Sequence, residues 1–94
     1  MSLEELVSKY IASAEHVFSN MVIVETPTSL NGDDVKKVVD FAKAYLEDAK
    51  YYRNKKAAVS LTSIAYCEGL LDALRLLGVV KFEWPTEKLK RRER

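Results

Sequence analysis

Ninety-four residues carrying a net charge of +1 make a single small domain, and a chain of this length buries only roughly 60–65% of its unfolded surface. Apolar content of 48% beside 31% charge, with three Gly and two Pro, excludes disorder and favours helices. A lone Cys67, no signal-peptide pattern and no run of about 18 apolar residues predict a cytoplasmic chain with no internal disulfide and no membrane span.

The first element follows from Leu3, Leu6, Val7, Tyr10, Ile11, Ala14, Val17, Phe18, Met21 and Val22, which recur at the 3.6-residue period. Glu4, Lys9, Glu15, His16 and Asn20 occupy the opposite side, so the helix is amphipathic. Ser2 with Glu5 three places on fits a capping box. Ile23 and Val24 extend the apolar run until Thr26 and Pro27 stop it, so the predicted helix spans 2–24.

Asn31 is the expected cap of a second helix over 32–53, with Asp33 and Asp34 where the macrodipole favours negative charge. Leu30 and Val35 have hydrophobic-staple spacing, and Val35, Val38, Val39, Ala42, Tyr45, Leu46, Ala49 and Tyr52 form the buried stripe. Residues 33–77 contain a single Gly and no Pro, and as one rod they would reach about 68 Å, too long to bury itself. The break is expected at 53–56. There Asn54 can adopt a left-handed conformation and Arg53, Lys55 and Lys56 suit the carbonyl-rich helix end.

The third helix, expected over 56–77 and closed by Gly78, is apolar nearly all round, with Glu68, Asp72 and Arg75 on one narrow side. Such a helix needs neighbours on several sides. It lies between the other two helices and under the C-terminal segment, or one face meets another subunit. After it, Val80, Phe82 and Trp84 alternate with Lys81 and Glu83, the period of an extended segment that folds back on the bundle. The fold class expected is an all-α, up-and-down three-helix bundle over 1–85 with that extended segment packed on it, followed by a basic tail over 86–94. Residues 1–85 hold ten basic side chains against twelve acidic, and the tail holds five against two.

Chemistry-bearing residues are few. Glu68 and Asp72, four apart, repel unless compensated, and Arg75 is the compensator; an ion network is the plain reading, and a metal or general-acid pair the sharper one. Gly69 inside a helix implies a constraint, either close approach of another helix or of a ligand. Tyr45, Asp48, Tyr52 and Tyr66, together with Glu68, Gly69, Asp72 and Arg75, form the candidate groove for a ligand or partner, although tyrosines anchoring a small core explain most of them as well. His16 reads as a surface histidine and Cys67 as a small core hydrophobe. Lys88, Lys90, Arg91 and Arg92 offer salt-sensitive phosphate contacts against the simpler reading of a solubilising end. With no nucleophile motif, phosphate loop or metal-ligand spacing, no catalytic residue, metal or cofactor is assigned and the chain is not expected to be an enzyme.

Tyr45, Asp48, Ala49 and Tyr52, followed by Tyr66, Glu68, Gly69, Leu71, Asp72, Leu77 and Gly78, resemble the archaeal domain of unknown function 357 family over roughly residues 35–84. Cys67 and Asn54 depart from the Ala and the Gly-containing turn expected there, which bears on the turn position. The resemblance implies a compact up-and-down helical bundle, and an accessory role beside a nucleotidyltransferase-like partner, since some relatives carry such a domain. It transfers no activity and no catalytic residues. The function expected is therefore a non-catalytic interaction module with a protein partner or a second copy. The alternatives are a nucleotide-like small ligand between the second and third helices, or weak nucleic-acid binding through the tail.

Overall fold

The computed structural model describes residues 1–25 and 30–85. In chain order they form helix α1 (Leu3–Asn20), strand β1 (Val22–Ile23), helix α2 (Gly32–Tyr52), helix α3 (Ala57–Leu76) and strand β2 (Val80–Lys81). The expected all-α three-helix bundle is the architecture observed. Helix α3 is its middle member: it packs on both α2 and α1, most extensively on α2, while α1 and α2 meet least. The result is flat, with Cα extents of 44 × 35 × 17 Å.

Both predicted N-caps are present. The Glu5 amide donates to Ser2 Oγ at 3.1 Å, and the Asp33 amide to Asn31 Oδ1 at 2.7 Å, each satisfying a donor that the first helical turn leaves unpaired. The turn between α2 and α3 falls where expected, but Asn54 does not adopt a left-handed conformation, since positive φ among the described residues occurs only at Gly78. Instead the Lys55 and Lys56 amides both donate to the Tyr52 carbonyl, at 3.0 and 2.8 Å, turning the chain with right-handed geometry.

At the far end of α3, Gly78 sits at φ +76°. Its amide donates to Arg75 O at 3.0 Å and that of Val79 to Leu74 O at 3.2 Å, the two bonds of a Schellman stop. Leu74 and Val79 share one buried cluster, supplying the apolar contact that accompanies this stop.

Helix α1 is shorter than its periodicity implies. It ends at Asn20, and the β-branched Val22 and Ile23 form a strand antiparallel to β2, pairing Val22 with Lys81 and Ile23 with Val80. The Val24 amide extends this ribbon by donating to Val79 O at 2.9 Å. Tertiary pairing supplies the ladder partners that make the extended conformation preferable for stiff side chains. The fold-back of the C-terminal segment is as expected: Val80 is buried, and Phe82 and Trp84 pack against the core.

That core runs through Val7, Ile11, Ala14 and Val17 of α1, Ala42, Leu46 and Ala49 of α2, and Ile64, Cys67 and Leu71 of α3. A second cluster of Val35, Val39, Leu74, Val79 and Val80 closes the ribbon end, and Phe18, Met21 and Phe82 touch both. Each fully buried aliphatic chain, such as Ile11, Ile64 or Leu71, contributes about 1.5–3 kcal/mol. By length and composition Ala57–Leu76 is also apolar enough to cross a membrane, at a mean hydropathy of 1.3, a property that a core helix of a bundle shares.

Candidate functional site

The inward side of α3 is set by Ser60, Ile64, Cys67, Leu71 and Leu74. Its flank towards the C-terminal segment carries the acids. Trp84 Nε1 donates to Asp72 Oδ1 at 2.7 Å, Arg75 Nη2 lies 3.3 Å from the same oxygen, and the Arg75 guanidinium sits 5.3 Å from the centre of the Phe82 ring. Asp72 thus anchors the segment, and Arg75 serves both the acid and the aromatic ring. Burial, and then the neighbouring Asp72 charge, raise the Glu68 carboxyl above its ordinary 4.5. Burial, and then Glu68, push the Cys67 thiol up to about 12, so it is an inert core group.

The opposite flank faces α2. There Tyr45 and Tyr66 stack with centroids 5.3 Å apart and planes 18° from parallel. The residues of the predicted groove are therefore divided between two edges of α3: Tyr45 and Tyr66 on one, Glu68, Asp72 and Arg75 on the other. Tyr52 stands edge-on to Tyr51 at 4.9 Å, with Lys55 Nζ 3.8 Å from the Tyr51 ring centre, and Asp48 is exposed on α2. The narrow charged side of α3 is legible in its sequence. Which neighbour each flank meets is not.

Gly69 corrects a second expectation. Among the described residues no helix approaches it: a Cβ built there meets nothing within 4 Å, and the residue is exposed. It lies in an open depression of about 500 Å³ lined by Leu61, Thr62, Ala65, Tyr66, Gly69 and Leu70. Tyr66 and Leu70 connect this to a second depression of about 300 Å³ beside Val38, Phe41 and Tyr45. The floor and walls of both are apolar.

Between the two flanks, the outward side of α3 is bare among the described residues. Val59, Thr62, Tyr66, Gly69, Ala73 and Leu76 follow one another at steps of three and four, and all are exposed. Ala58, Ala65 and Leu77 widen the stripe to a sector of about 120° that carries no charged side chain. Leu76 is 84% exposed, Tyr66 59% and, beside it on α2, Phe41 63%. The sequence shows that α3 is apolar all round; only the packing shows which third of it stays uncovered.

A hollow of about 690 Å³ between the end of β1 and α2 has Lys36, Asp40 and Lys43 on its rim and Val35, Val39 and Val79 within. Nothing in the sequence pointed to it, because its walls come from elements distant in the chain. His16 is on the surface, its Nδ1 3.5 Å from Asn20 Nδ2. Among the described residues no group of three or more His, Cys, Asp or Glu is placed to hold a metal ion. Lys88, Lys90, Arg91 and Arg92 lie outside the described residues.

Comparisons with curated proteins and with solved structures return no significant match. The profile of one family matches residues 9–80, from the first helix through the start of the C-terminal strand. The chain belongs to that family, described as a protein of unknown function, DUF357.

Proposed function

We propose that this protein is a non-catalytic interaction module whose working surface is the outward side of α3. One observation carries the reading: a fully helical, uncharged sector with Tyr66 and Leu76 more than half exposed faces solvent in a chain otherwise one-third charged. Contiguous apolar surface of this kind is unfavourable in water and marks contact sites in soluble proteins. Gly69→Glu places a charge in its centre where no neighbour obstructs the side chain. Wild-type protein used as bait in a native lysate, or examined alone by sedimentation, is expected to associate, and Gly69→Glu to lose that association while keeping its helical circular dichroism. A wild-type chain that sediments strictly as a monomer and captures nothing would remove the reading.

Small-ligand binding has less support. The depressions around Tyr66 are open and apolar, and the polar groups that would orient a ligand lie on the other edge of α3.

A further inference from the structure

The bare side of α3 has an internal symmetry of size. A two-fold axis crossing the helix at the level of Cys67 and Glu68 exchanges Tyr66 with Gly69, Thr62 with Ala73, and Leu76 with Val59. Each exchange sets a larger side chain against a smaller one. Steps of three and four make any such stripe positionally symmetric, but the pairing of a larger with a smaller side chain is a property of these residues, and it lets two identical surfaces interdigitate. In an antiparallel helix pair these exchanges are also the facing layers.

We infer that the partner of this surface is a second copy of the chain, docked antiparallel along α3 so that Tyr66 of each copy covers Gly69 of the other. The inference rests on the interaction-module reading and names its occupant. Four observations support it. The sector carries no charge, so like meets like without repulsion. Tyr66 is already held by its stack on Tyr45, which lowers the entropy lost when the ring is covered. At Gly69 the space above the backbone is open, as a knob from a facing helix requires. Phe41, Tyr66, Leu76 and Leu77, each more than half exposed, give the stripe the large apolar side chains with which to approach the about 800 Å² per partner of a standard interface. Residues 86–94 are a poor alternative cover, because seven of the nine are charged and Leu89 is their one large apolar side chain.

Sedimentation velocity of the full chain at about 100 µM, far above a micromolar dissociation constant, reads the first consequence. A species of twice the 10.7 kDa chain mass is expected, reverting to the chain mass in Gly69→Glu and in the milder Tyr66→Ser, both with unchanged helical circular dichroism. Orientation is read by oxidative cross-linking. Thr62→Cys and Ala73→Cys proteins, mixed, should yield mainly the mixed dimer, because the antiparallel axis sets position 62 of one copy against 73 of the other. Self-cross-linking of Thr62→Cys as efficient as the mixed product would overturn the antiparallel arrangement. A chain that remains monomeric at this concentration overturns the second-copy assignment. If that monomer still captures another protein, or partitions onto phosphatidylcholine vesicles, and loses this in Gly69→Glu, the surface is active with a different occupant. A monomer that does none of these removes both readings together.

Discussion

Ser60 is the buried polar side chain of the described core, and its hydroxyl donates to the Ala49 carbonyl in the last turn of α2, where intrahelical donors run out. Ser60→Ala keeps the volume nearly unchanged and deletes the donor, so a loss of about 1 kcal/mol is expected in the urea midpoint. Glu68 tests electrostatics instead. Because its carboxyl is raised above 4.5 in the folded chain by burial and by Asp72, the folded state holds that proton more tightly than the unfolded state. The associated stability is complete below pH 4.5 and is lost as pH rises through the folded value. Glu68→Gln therefore should be more stable than the parent at pH 7, with the difference closing as the pH falls below 4.5; a constant difference at all pH values would contradict the burial argument.

Gly69 inside the third helix and Gly78 just past its end have opposite roles, and substitution separates them. Gly78 terminates α3 at φ +76°, a conformation that costs an L-residue about 1–2 kcal/mol, so Gly78→Ala should lower the melting midpoint by a comparable free energy. Gly69 lies inside the helix with open space around it. In dilute solution Gly69→Ala should stabilise the chain by about 1 kcal/mol through helix propensity alone. In concentrated solution that gain should shrink, because the added methyl sits where the facing tyrosine packs; chemical denaturation at two protein concentrations measures both. The early end of α1 has the same kind of cause. The apolar run through Val24 is compatible with a helix and with a short extended strand, and the pairing with Val80 and Lys81 decides between them.

At the scale of the whole molecule, the C-terminal segment ties the helices together. The β1–β2 ribbon joins the end of α1 to the end of α3, while Trp84 is held by Asp72 and edge-on to Phe82 at 5.2 Å. With Val80 in the core, this segment is part of the cooperative unit and not an appendage. Trp84 is the sole tryptophan, so its fluorescence reports detachment of the segment and far-ultraviolet circular dichroism reports loss of helix. The two transitions in urea should coincide within error; fluorescence changing at clearly lower urea would show that the segment opens independently.

Local chemistry sufficed for much of this architecture. Ser2 and Asn31 cap because their side-chain oxygens reach amides two or three residues away, and Gly78 stops α3 because it alone adopts the required φ without strain. The three helices follow from apolar period, and the break at 53–56 from the length of rod that could not otherwise bury itself. Family membership was likewise legible in the tyrosine, acid and glycine pattern. Four features required the third dimension: the strand at Val22, the division of the groove residues between two flanks of α3, the absence of any helix over Gly69, and the bare outward sector. A helix that is apolar except for one narrow charged side carries too weak a signal to say which of its other sides faces inward. Its orientation is set by partners distant in sequence, which cover one side and leave the other to water or to a second molecule.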